Sequence, residues 1–237
     1  MSNSDSIDSN HKAVDVLPKG SIVLNYGEGE PAHTIIWLHG LGASANDFPP
    51  VVPELGLDQH RAVRFIFPQA PNRPITINGG MSMPGWYDIK GMSIDDKQDA
   101  VGMAESQRLL NKLVDQQVEQ GVPSENIIIA GFSQGGAVAY HTALRSELKF
   151  AGVLALSTYL AFANDLAVQR HEANNQTAIL VNHGSNDQVV PMDLAEMSVG
   201  VLQGLGYQVD YKVYPMEHQV VMEQIKDIGL WINQQFG

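Results

Sequence analysis

The chain has 237 residues, 44% hydrophobic and only 17% charged, with a formal net charge of −12; it can bury one large core or two small ones, and its acidic field repels nucleic acid and anionic lipid surfaces. It contains no cysteine, which excludes disulfides, thiolate nucleophiles and cysteine-bound metals. No linker-like stretch divides it, so a single domain over residues 13–237 is expected.

Residues 1–12, rich in Ser, Asn and Asp, read as a disordered tail. They lack the apolar segment of a signal peptide, and no apolar run is long enough to span a bilayer, so a cytoplasmic protein without membrane insertion is expected. Residues 21–26 carry the β-branched flavour of a strand. His33–Leu38 is a short continuous apolar run, as a buried strand requires, and leads into His39-Gly40-Leu41-Gly42. Val63–Phe67 is another strand. The thirty or so residues that follow are long for an unstructured connection and hold Met83, Trp86, Tyr87 and Met92. Residues 99–120 read as a helix, with Val101, Leu110, Leu113, Val114 and Val118 on its apolar face, stopped by Gly121-Val122-Pro123. Then come a buried strand at 126–130, a helix at 134–144, strands at 151–156 and 178–181, and a helix opened by Pro191. A strand at 209–214 and a terminal helix at 220–235 complete the chain. Short apolar strands alternating with helices predict an α/β architecture, a mostly parallel sheet covered on both faces. Its active site belongs beyond the carboxyl ends of the strands.

Gly131-Phe132-Ser133-Gln134-Gly135 is a G-x-S-x-G pattern set between an apolar strand and a helix-forming stretch. That setting is what a nucleophile elbow requires. A serine on so sharp a turn is strained and crowded, and flanking glycines relieve the crowding. The following helix points its N-terminus, with unpaired N–H groups, at the place where negative charge develops. Hydrolases of this kind order their triad Ser, Asp or Glu, His. His218 is the histidine C-terminal to all the late acidic candidates, and Asp187 lies on the loop beyond the strand at 178–181. Asp193 competes, but its place just after Pro191 suits a helix N-terminus. His141 reads as structural, while His39 and His183 end strands at the same edge yet precede Asp187. The expected catalytic set is therefore Ser133, Asp187 and His218, with the backbone N–H groups of Leu41 and Gln134 as the oxyanion hole. Activity is expected to fall in acid, once the base is protonated. Met83, Trp86 and Tyr87 are the expected substrate contacts, since methionines and an aromatic platform suit variable alkyl chains; a role for these residues in capping the sheet edge is an equal alternative.

Five motifs, Leu38 to Ala43, Met83 to Ile89, Gly131 to Ala137, His183 to Pro191 and Glu217-His218, resemble in order the acyl-protein thioesterase, or lysophospholipase-like carboxylesterase, family. The resemblance implies an α/β-hydrolase fold without a large cap domain, no cofactor, and action on short to medium acyl esters and on acyl-protein thioesters. It also implies a homodimer. Two positions depart from the family pattern: Pro84-Gly85 stands where an Arg-Ala pair is usual, and Thr158 where Gly is usual. Both are expected to border the acyl site. Fold and triad do not fix the acyl donor or acceptor, so a serine peptidase or acyltransferase on the same scaffold stays open, as does a non-catalytic binding module.

Overall fold

The computed structural model describes residues 16–91 and 98–237. The tail expected at residues 1–12 and the residue Met92 lie outside these. The strands are β1 (Ile22–Tyr26), β2 (His33–Leu38), β3 (Val63–Phe67), β4 (Asn72–Ile75), β5 (Met81–Pro84), β6 (Ile127–Phe132), β7 (Gly152–Leu156), β8 (Ala178–Gly184) and β9 (Val209–Tyr214). The α-helices are α1 (Ala100–Glu119), α2 (Gln134–Ala143), α3 (Ala163–Gln169), α4 (Met192–Gly204) and α5 (Met222–Gln235). Among the described residues no helix is long and apolar enough to cross a membrane.

Seven strands form one sheet in the order β1-β3-β2-β6-β7-β8-β9. β1 runs antiparallel to β3, and all the other pairs are parallel. The interior strands are apolar on both faces, as a sheet covered twice must be. Alternate residues feed two cores. Ile36, Ile129, Val153 and Ile179 meet α1, α2, α3 and α4. Their neighbours Ile35, Ile128, Leu154 and Leu180 meet α5 and the 3-10 segment Pro49–Leu55.

The chain leaves β2 for β3 on one side and later returns as β6 on the other. A parallel sheet has a crevice where its winding reverses in this way. Here that crevice lies beyond the ends of β2 and β6. Their register, Leu38 opposite Gly131, sets the His39–Gly42 loop beside Ser133.

Two departures from sequence expectation concern surface elements. The long connection after β3 folds back as the hairpin β4–β5, with Arg73 opposite Met83. In α1, Val101 is 70% exposed while Ser106 and Gln117 are buried. Polar partners decide this. Gln117 Oε1 accepts from Thr34 Oγ1 (3.2 Å) and Arg64 (3.1 Å), and the Ser106 hydroxyl donates to the Trp86 carbonyl. Side chains so satisfied lose little by burial.

Candidate active site

Ser133 stands between β6 and α2 with φ 53° and ψ −121°, a left-handed φ that a residue with a side chain adopts only under constraint. The constraints are visible. Its N–H donates to Leu156 O of β7 (2.8 Å). A Cβ on Gly131 would strike the backbone of Gly135, and one on Gly135 would fall 2.5 Å from the Leu38 carbonyl oxygen. No residue but glycine fits either position, so the glycines of the motif are dictated by backbone approach.

His218 lies on the loop between β9 and α5 and Asp187 on the loop after β8. Their rings and carboxylate meet: His218 Nδ1 is 2.7 Å from Asp187 Oδ2. Asp187 is fully buried in its side chain, and its other oxygen accepts the N–H groups of Val189 (2.9 Å) and Val190 (2.8 Å). A carboxylate oxygen only accepts, so the hydrogen of this contact sits on His218 Nδ1 and leaves Nε2 open as an acceptor. Phe132, the neighbour of Ser133, packs on the His218 ring with centroids 4.7 Å apart. Asp193 falls in the first turn of α4, and the His218 contact goes to Asp187 instead. Pro191 is the residue before that helix, not its first.

The two other histidines at this edge are tied into the backbone. His39 Nδ1 donates to Gly40 O (2.7 Å), and its Nε2 accepts from Ala70 N (3.1 Å). His183 Nε2 donates to Val190 O (2.8 Å) and lies 3.7 Å from Asp187 Oδ2. Burial lowers the pKa of both, with the backbone bonds pulling the other way. They remain neutral braces.

A cavity of about 930 Å³ opens over the serine. Ser133, His218, Leu41 and Gln134 all line it. The Gln134 N–H is the first of α2 and has no intrahelical acceptor, and the Leu41 N–H has none among the described residues. Its walls are largely apolar, from Phe48, Ile77, Ile89, Val189, Leu194 and Val220, with a polar end at Asp88, Lys90 and Asp99. Of these, Phe48, Lys90, Asp99, Leu194 and Val220 lie outside the five sequence motifs and the expected substrate contacts. Position at the carboxyl edge was the available signal.

Of the three expected substrate contacts, Tyr87 lines the cavity and shares a 3.0 Å hydroxyl contact with Tyr159. Burial, followed by Tyr159, raises the Tyr87 pKa, so the phenol stays protonated. Trp86 lies behind the wall, 1% exposed. Its indole N–H donates to His39 O (2.8 Å) and its backbone N–H to Gln134 Oε1 (2.8 Å). This corrects the expectation of a substrate-facing Trp86: an indole with its N–H paired to a backbone carbonyl serves as a strut. Met83 also lies off the wall, its sulfur 3.4 Å from Asn78 Nδ2. Pro84, Gly85 and Thr158 are not on the cavity wall either. Pro84 O accepts from Gly42 N (2.8 Å), and a Cβ on Gly85 would press on Leu41 at 3.0 Å. That turn supports the Leu41 loop from behind.

The phospholipase/carboxylesterase family model matches residues 20–235. The chain belongs to that family. It is a hydrolase, similar to acyl-protein thioesterase 1 of Gibberella zeae (36% identical; 85% of this chain, 90% of the relative) and to a probable carboxylesterase of Oryza sativa subsp. japonica (32%; 84% and 76%). Among solved structures it resembles Arabidopsis thaliana SOBER1 (TM-score 0.82, 28% identical; 86% of this chain, 99% of that one). Zea mays acyl-protein thioesterase 2 is comparable (TM-score 0.81, 25% identical; 92% and 99%). These likenesses bear out the family and the α/β-hydrolase fold expected from the five motifs.

Proposed function

We propose that this chain hydrolyses carboxylic esters and thioesters through an acyl-enzyme on Ser133, with His218 as base and Asp187 as its partner. The 2.7 Å contact between His218 and Asp187, on the same cavity as the strained Ser133, carries the reading. His218 takes the Ser133 proton through Nε2 as the hydroxyl attacks the acyl carbon. Asp187 holds the tautomer and stabilises the imidazolium. The tetrahedral oxyanion sits between the N–H groups of Leu41 and Gln134, donors that need no reorganisation. Collapse expels the alcohol or thiol, which takes the proton from His218, and water repeats the sequence on the acyl-enzyme.

The cavity lies near the upper end of ligand-site volumes, about 300–1,000 Å³, and its apolar walls support an extended acyl group, with Tyr87 as one contact. Thioesterase relatives support an acylated protein as one substrate. A cytoplasmic setting and a homodimer belong to the same reading, carried by the sequence and the family resemblance. The test is hydrolysis over a chain-length series of acyl esters beside an acylated peptide thioester and an amide. Ser133→Ala is expected to lower kcat by about 10⁵–10⁶, in line with serine hydrolases elsewhere, and to abolish fluorophosphonate labelling. Near-normal esterase activity in that variant removes the nucleophile from the proposal.

A further inference from the structure

The peptide joining Ser133 to Gln134 carries two groups at once. One end is the Ser133 carbonyl and the other the Gln134 N–H, and the unit is planar. Any rotation of the carbonyl therefore turns the N–H by the same amount. The Ser133 oxygen accepts three donors. Two come from the first turn of α2, Gly136 N at 2.9 Å and Ala137 N at 3.2 Å. The third and shortest, at 2.6 Å, is the hydroxyl of Thr158.

Thr158 comes from outside the elbow, on the loop after β7, and is 1% exposed. It follows Ser157, itself held at φ 45°, whose N–H donates to Asn182 O of β8 (2.8 Å). The end of β7 thus grips the nucleophile twice, through Leu156 O on the Ser133 N–H and through the Thr158 hydroxyl on the Ser133 carbonyl. Its methyl group leaves no space above the helix: a Cβ on Gly136 would fall 2.6 Å from Thr158 Cγ2.

We propose that Thr158 is a positioning residue for the oxyanion hole. Its hydroxyl fixes the plane of the 133–134 peptide and so the aim of the Gln134 N–H. A hydrogen bond on the carbonyl end also polarises the amide, which makes the N–H a stronger donor. Both effects act on the negative charge that develops in the transition state and leave ground-state binding of the substrate alone, so they appear in kcat. Thr158 does not line the cavity, so its route to the reaction is the 133–134 peptide. The inference rests on the proposed roles of Ser133 and Gln134.

The test compares Thr158→Val, Thr158→Ser and Thr158→Ala in the full-length enzyme, with Ser133→Ala measured beside them. Thr158→Val keeps the branched shape over Gly136 and loses the bond; Thr158→Ser keeps the bond and loses the methyl. Losing a whole oxyanion donor costs about 10²–10³ in kcat, and misaiming one costs less. Thr158→Val is expected to lower kcat for acyl ester hydrolysis about tenfold with KM within about twofold. Its inhibition constant for a trifluoromethyl ketone, which forms a tetrahedral oxyanion on the serine, weakens by about the same factor, while inhibition by an unreactive long-chain alcohol is unchanged. Thr158→Ser stays within about threefold of the parent. Thr158→Ala against Thr158→Ser isolates the hydroxyl again, should the valine variant fail to fold. Equal impairment of the serine and alanine variants, a Thr158→Val kcat within twofold of the parent, or a loss confined to KM overturns the proposal. An active Ser133→Ala overturns the nucleophile assignment itself, whereas an inactive Ser133→Ala beside an unimpaired Thr158→Val overturns the positioning role alone.

Discussion

Gln134 is held by its side chain as well as by its place at the start of α2. Only 2% exposed, it accepts from Trp86 N (2.8 Å) and donates to Tyr87 O (2.6 Å). Trp86 in turn donates to His39 O, so one chain of hydrogen bonds links the elbow to the loop that carries Leu41. Gln134→Ala preserves the backbone N–H yet strands a buried donor and a buried acceptor, at a cost of about 1–3 kcal/mol for such a loss. A lower urea midpoint is expected, together with a fall in kcat of roughly tenfold as Leu41 and residue 134 lose their common frame. An unchanged midpoint would mean that the clamp contributes nothing. Gln134→Glu should be no better, because a carboxylate facing the Tyr87 carbonyl replaces a donor with an acceptor.

Two glycines in helices show how packing sets the sign of one substitution. Gly200 in α4 has open space around its missing Cβ, whereas Gly229 in α5 faces the backbone of Leu55 so closely that a Cβ has no room. Alanine gains about 1 kcal/mol over glycine in helix propensity. Gly200→Ala should therefore raise Tm by about 2–4 °C, the equivalent of that energy in a domain of this size. Gly229→Ala must push α5 from the Pro49–Leu55 segment, and overpacking of that kind costs about 1–3 kcal/mol; its Tm should fall. Calorimetry on the pair decides the matter, and a stabilised Gly229→Ala would show that α5 is free to shift. Since α5 follows the His218 loop, the close approach also fixes the far anchor of that loop.

Acid is expected to destabilise the whole molecule through the buried His39 and His183 and the half-buried His141. Burial lowers the pKa of His39, His183 and His141, the last to about 3 under burial and then the Arg145 charge. A histidine depressed in the folded state binds more protons when unfolded, so stability rises with pH across that window. The contribution is present above about 6.5, the unfolded value, and is lost progressively as pH falls toward the folded pKa. His141 packs edge-on to Phe162 at 5.4 Å and does not line the cavity over Ser133. Replacing it by Gln should shrink the loss of Tm between pH 7 and pH 5 by about 2–8 °C, from roughly 1–2 kcal/mol of linkage. Parallel curves for the two proteins would refute the assignment.

The sequence by itself determined the architecture and pointed to Ser133, Asp187 and His218 as the proposed triad. Buried strands such as His33–Leu38 and Ile127–Phe132 are apolar on both faces, and the elbow writes its steric demands as Gly131 and Gly135; both signals are local, within a few residues of chain. Only the tertiary structure decided what Trp86, Gln134 and Thr158 touch. Gln134 meets Trp86 across 48 residues and Thr158 meets Ser133 across 25, and no local pattern encodes a partner at such distances. The same holds for α1, where Gln117 is buried with Thr34 and Arg64 as partners while Val101 faces solvent. Short-range periodicity places an apolar face; which polar side chains are satisfied inside, and so can be buried, depends on neighbours that only folding brings together.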